Sequence, residues 1–141
     1  MSHQTFKLLI LLILVGFLYL PPIASAEEPV EEDKPELMYY EIEPNILTFY
    51  QGTGRKIGYV VVQVNVAVRG QDNYDLIELH MPLLQDVLIK FFNRQDKSVI
   101  QPFSEREQLR LKAMDVVKEA LKEEIGKDIV ENVLFTNYVY Q

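Results

Sequence analysis

The closing stretch Ile129–Gln141, IVENVLFTNYVYQ, restricts the fold more than any other part of the chain. It is dense in Val, Ile, Phe, Tyr and Thr, residue types that suit a pleated, partly buried strand. Read at period two, Ile129, Val133, Phe135 and Val139 project to one side, and Val130, Leu134, Tyr138 and Tyr140 to the other. Apolar residues on both sides predict a strand inside a sheet, with a layer packed on each face. Such a sheet is incomplete until the final residues are made. Truncation here is therefore expected to be destructive, unlike the trimming of a frayed terminus.

The other elements follow from periodicity. Met38–Tyr50 is strand material broken at Pro44, which has no amide hydrogen for a central ladder: an edge strand, or two short strands with a break. Gln51–Gly54 reads as a turn. A long strand then starts at Lys56 or Ile57 and runs to Arg69. Val60, Val62, Val64, Val66 and Val68 share one face of it, which is core. The opposite face, Ile57, Tyr59, Val61, Gln63, Asn65, Ala67 and Arg69, turns from apolar to polar along its length. Gly70–Asn73 ends the strand. Ile77, His80, Leu84, Val87, Leu88 and Phe91 recur at spacings of three and four, predicting a helix from about Asp75 to about Asn93, irregular at Pro82. Ser104 and Glu107 have the spacing of a capping box. The helix after them carries Leu109, Ala113, Val116, Val117, Ala120, Leu121 and Ile125 on one stripe and stops at Gly126. Together these predict an α+β fold, a small, mainly antiparallel sheet with two helices packed on one face.

The front of the chain is a separate object. Lys7 precedes an uncharged run from Leu8 to Leu20, and two prolines lead to Ala24-Ser25-Ala26. That pattern predicts a secretory signal peptide, residues 1–26, cleaved after Ala26. An uncleaved membrane anchor is the alternative. A helix over Leu8–Leu20 spans only about 20 Å, however, against a hydrocarbon core of roughly 30 Å. Extending it through Pro21 and Pro22 costs about 3 kcal/mol at each. Either way, the chain beyond Ala26 is expected to lie across the membrane. Residues 27–38 begin EEPVEEDKPEL and read as an acidic, extended linker. Residues 39–141 are left as one domain.

Composition removes several functions. With 14 Lys and Arg against 21 Asp and Glu, a net charge of −7 and no run of three basic residues, nucleic acid is not an expected partner. The absence of Cys excludes disulfides, thiol chemistry and lipidation on sulfur. His80 is the one histidine beyond the front segment, and a lone His beside an apolar stripe is more often packed than ligating. No metal-ligand spacing is present. Ser98 and Ser104 lie outside any nucleophile motif. Gly52-x-Gly54 has no helix behind it to hold a phosphate. Glu123-Glu124 reads as a solvated helix end. No catalytic residue, cofactor or metal is predicted. Tyr39, Tyr40, Tyr59, Tyr138 and Tyr140 fall on strands, where they pack the sheet or, if exposed, form an interface.

Three blocks resemble FliL, the flagellar basal body-associated family. The first is Tyr40–Leu47, YEIEPNIL, with Gly58-Tyr59-Val60 leading the long strand. The second is His80–Asp86, HMPLLQD, and the third is Val133–Gln141, VLFTNYVYQ. Gln108-Leu109-Arg110 lies where that family has a similar helix start. The chain departs at Gly58-Tyr59, where Arg-Tyr is common, and at Gln85, where Arg is frequent. Its short apolar front also stands in place of a full transmembrane helix. The resemblance marks Pro44, Tyr59, His80, Pro82, Asp86, Phe135, Thr136, Val139 and Gln141 as signature positions of structural character. It implies a stomatin-like (SPFH-type) domain on the periplasmic side of the bacterial inner membrane, at the flagellar basal body. The implied partners are stator units of the MotA/MotB type and further copies of the chain in a ring. The implied effect is on rotation and torque in motility and chemotaxis. The competing reading is a periplasmic ligand-binding module with an enclosed apolar pocket. A small hydrolase would need polar groups converging near His80 or Ser104.

Overall fold

Strand β3 (Ile57–Arg69) is the middle of the sheet. One edge of it pairs antiparallel with β1 (Leu37–Glu41) and then β2 (Ile46–Gln51), laid end to end; the other pairs antiparallel with β4 (Val130–Tyr140). The computed structural model describes residues 34–141, so the segment read as a signal peptide and most of the acidic linker lie outside the described residues. The gap between β1 and β2 falls at Pro44, as its missing amide requires. Ile42 N–H still donates to Val64 O at 2.9 Å, and Gln85 Nε2 donates to Glu43 O at 2.8 Å, fastening the break to a helix.

The core lies between the inner face of the sheet and the helices. Val60, Val62, Val64, Val66 and Val68 are all fully buried. Above them pack α1 (Gln71–Leu79) through Ile77, α2 (Met81–Asn93) through Leu84, Leu88 and Phe92, and a long α4 (Arg106–Ile125) through Leu109, Ala113, Val117 and Leu121. Between α2 and α4 come a short α3 (Lys97–Ile100) and a 3-10 turn over Phe103–Glu105. Burying each large aliphatic side chain is worth about 1.5–3 kcal/mol before the cost of ordering the chain. Gly126 ends α4 at φ 71°, a left-handed conformation that glycine adopts without a Cβ penalty. The fold is α+β, as the pattern predicts.

Four local expectations need correction. The helix begins at Gln71 rather than Asp75, and it breaks at His80, where Pro82 occupies the first turn of α2 and owes no amide bond. Phe92, not Phe91, is the fully buried ring. The capping box does not form. Pro102 leads into the 3-10 turn, Glu105 N–H bonds Pro102 O at 3.2 Å, and Glu105 caps α4 without a side-chain bond.

The largest correction concerns β4. Among the described residues it pairs only with β3, so it is an edge strand. Its pairing also shifts register twice, between Gln63 and Val64 and between Ala67 and Val68, leaving Thr136 and Glu131 as extra residues. Each bulge reverses the inside-outside parity. Val130, Val133, Phe135, Tyr138 and Tyr140 consequently all stand opposite inward-facing β3 positions, while Asn132, Leu134, Asn137 and Val139 stand opposite outward-facing ones. Only the inner face is covered; no described residue forms a layer on the outer one. Arg110 clamps the first bulge, donating to Asn132 Oδ1 and to Val133 O at 2.8 Å while its other nitrogens hold Glu107. That mutual bonding raises the Arg110 pKa and holds the Glu107 carboxyl below its ordinary value.

Candidate interaction surface

Strand β2 carries apolar residues at both parities, which a sheet covered on one side cannot bury together. Ile46, Thr48 and Tyr50 go inward, so Leu47 and Phe49 are left on the outer face, opposite Val61 and Tyr59. Val139 pairs with Val61 from the other side, and Gln141 exchanges backbone bonds with Tyr59 at 3.1 and 2.9 Å. Two rows thus cross three strands: Phe49–Tyr59–Gln141 and Leu47–Val61–Val139. Ile57, 69% exposed, extends the patch, with Leu47 at 61% and Val139 at 55%. The Phe49 and Tyr59 rings lie 5.0 Å apart. Just beyond Val61 the face becomes polar, with Gln63 donating to Glu41 and Thr136 Oγ1 bonded to Asn65 Oδ1 at 3.0 Å, and this band separates the patch from the exposed Tyr39 and Leu37 of β1. A contiguous exposed apolar patch with a polar border has the character of a protein contact site.

The hairpin end of the patch is built around Tyr50. Its buried ring fills the space above Gly58; its hydroxyl donates to Gln141 O at 3.0 Å and accepts from Gln101 Nε2 at 2.8 Å. Two open clefts flank it. One, of about 310 Å³, is bordered by Phe49, Asn93, Arg55, Lys56 and Ile57. The other, of about 170 Å³, is bordered by Lys56, Lys97, Gln101 and Gln141. Both open to solvent, unlike the enclosed apolar pocket a ligand-binding module calls for.

Behind Tyr50, Tyr138 is fixed at both ends. Its hydroxyl donates to Ile100 O at 2.8 Å, and the Arg106 guanidinium lies 3.6 Å from its ring centroid, a cation–π arrangement. Burial pushes the Tyr138 phenol up to about 12; Arg106 opposes this, while Tyr140 and Tyr50 add to it. The folded chain therefore keeps the proton past the ordinary value of 10.0, so this residue's stabilisation is whole below about pH 10 and is lost as pH rises toward 12. Urea midpoints should fall across that window, and Tyr138→Phe should flatten the fall. An unchanged slope in the phenylalanine variant would show that other groups control it.

The signature positions divide between two places. Tyr59, Val139 and Gln141 meet on the outer face. Pro44 sits in the β1–β2 break that Gln85 holds, and His80 and Pro82 form the α1–α2 junction, with His80 half-buried. Asp86 pairs with Lys90 at 2.6 Å on the surface of α2. Phe135 packs inward, 5.6 Å from Phe92, and Thr136 is the second bulge residue. Ser104 is exposed in its 3-10 turn, and nothing converges on it with His80. The sequence reading missed Leu47, Phe49, Ile57, Arg55, Lys56 and Lys97. The available signal was the apolar doubling of Ile46–Tyr50 and the apolar half of the non-valine face of β3. Among the described residues no cluster of His, Cys, Asp or Glu could hold a metal ion, and no helix is long and apolar enough to cross a membrane.

The model of a protein family, described as flagellar basal body-associated protein FliL, matches residues 39–141, which takes in the chain from the middle of β1 through β4. Comparison with curated proteins gives no match.

Proposed function

The chain belongs to the FliL family of flagellar basal body-associated proteins, and from that membership we propose that it is a non-enzymatic component that contacts the motor stator and modulates flagellar rotation and torque. The contact is made by the outer sheet face around Leu47, Phe49, Ile57, Tyr59 and Val139. The observation carrying this reading is that a sheet with a full inner core leaves these large apolar side chains about half or more exposed, with no described residue over them. In the same reading the domain works on the periplasmic side of the inner membrane. It is delivered there by a signal peptide cleaved after Ala26, or held by the same segment uncleaved, and its copies form a ring around MotA/MotB-type stator units during motility and chemotaxis.

Localisation tests the proposal. A fluorescent fusion that folds in the periplasm should form spots at the flagellar base only in cells that have stator units. Diffuse signal with and without them would overturn the stator contact. The double variant Leu47→Glu/Val139→Glu separates surface from fold. Both positions are more than half exposed, so stability should change by about 1 kcal/mol or less, while spots and normal swimming speed are lost. Normal motility in this variant would move the contact to another face.

A further inference from the structure

We propose that copies of this chain associate head to tail, the acidic residues 27–36 of one copy docking on the basic tip of the β2–β3 hairpin of the next. This rests on the self-association part of the functional reading, and it adds the two surfaces and their polarity. The chain is acidic overall, at −7, yet Arg55, Lys56 and Lys97 gather around two clefts that share Tyr50, Gly52, Lys56 and Ile57. None of the three has an ion-pair partner among the described residues. Asp96, bridged to Gln51, is the acidic neighbour of Lys97 and offsets one charge. Asn93 on the same border, and the exposed Phe49 and Ile57, give an extended peptide both polar and apolar contacts.

The complementary charge lies in the sequence just before β1. Residues 27–36, EEPVEEDKPE, hold five Glu and one Asp against one Lys. They lead into β1, whose Leu37 pairs with Arg69 at the far end of β3 from the hairpin. Twelve steps of about 3.4 Å separate Arg69 from Ile57, so the two ends are about 40 Å apart. Even fully extended at about 3.5 Å per residue, Glu31–Asp33 reach only about 14–21 Å from Leu37. One copy cannot place Glu31–Asp33 on its own hairpin. A neighbour can. Joining unlike ends gives a heterologous contact, which repeats until it closes a ring or extends a filament. It leaves Leu47, Tyr59 and Val139 of the outer apolar face free for a different partner.

Because the chain has no Cys, introduced thiols report the contact cleanly. Full-length chains carrying Val30→Cys or Thr53→Cys are purified in mild detergent, mixed and oxidised at about 0.05 M and about 0.5 M salt, the latter screening beyond about 4 Å. The mixture should give hetero-adduct in clear excess over either homodimer at low salt, with loss of that excess at high salt. Arg55→Glu/Lys56→Glu/Lys97→Glu in the Thr53→Cys partner should abolish the adduct, with circular dichroism unchanged. Glu28→Lys/Glu31→Lys/Glu32→Lys in the Val30→Cys partner should restore it. No excess hetero-adduct, or an adduct indifferent to the charge reversals, overturns the proposal. Sedimentation of the same samples keeps the failures apart: oligomers without the adduct sink this contact alone, and a monomer sinks self-association as well. Neither result depends on the stator.

Discussion

Gly58→Ala should lower stability by about 3 kcal/mol, read as a lower urea midpoint at unchanged m-value. The residue is regular strand, so strain at positive φ is not the cause. Its missing side chain points inward, where the Tyr50 ring occupies the space, and an added Cβ would overlap that ring at Cζ, Oη and Cε1. Tyr50 has nowhere to retreat. It is buried, and its hydroxyl is bonded to Gln141 O and to Gln101 Nε2. Overpacking of this kind costs about 1–3 kcal/mol, and each displaced hydrogen bond about 1 more. The reduced freedom of the unfolded alanine chain returns about 0.4–1 kcal/mol. A double-mutant cycle isolates the cause. In a Tyr50→Ala background Gly58→Ala should be nearly neutral; an undiminished cost there would show that Tyr50 is not what the glycine accommodates.

The same pair shows what was legible in the sequence. The valine series, the break at Pro44 and the stop at Gly126 were readable because each rests on local stereochemistry that no distant contact opposes. Gly58 stood out as a departure from the FliL pattern, but its reason lies across the ladder at Tyr50, eight residues away in sequence. The last strand was recognisable as a strand, yet its faces were assigned wrongly. Period-two counting assumes an unbroken ladder, and the extra residues at Glu131 and Thr136 each turn the count over. Polar residues in an otherwise apolar run were the hint. The outer patch was visible as the apolar half of the second β3 face. Whether such a face is covered depends on which side the helices take, and residue spacing alone does not decide that. The basic tip was missed because Arg55-Lys56 and Lys97 are far apart in sequence and are brought together by tertiary contacts such as the Gln51–Asp96 bridge and the Gln101–Tyr50 bond.

Deleting Tyr138–Gln141 should abolish cooperative folding. An edge strand ordinarily tolerates fraying at its end, but this end roofs the sheet. Tyr138 and Tyr140 stand opposite Val62 and Val60, so the deletion uncovers two fully buried valines. It also removes the Tyr138 bond to Ile100 O, the aromatic partner of Arg106, both backbone bonds to Tyr59 and the acceptor for the Tyr50 hydroxyl. Loss of a fully buried aromatic costs about 3–5 kcal/mol, and loss of the partly buried Tyr138 ring a good part of that. With the uncovered valines and broken bonds, the sum reaches the whole stability of a typical domain, about 5–15 kcal/mol. The expected product keeps helical far-ultraviolet dichroism, loses near-ultraviolet dichroism and melts without a sharp transition. Tyr138→Phe, which leaves the ring and removes one hydrogen bond, should cost only about 1 kcal/mol. A truncated chain with a native, cooperative melt would show that the roof is dispensable and that the core closes on α2 and α4 alone. Because the truncation also removes Val139 from the outer face, lost motility in that strain says nothing about the stator contact; that test belongs to the glutamate variant, whose core is intact.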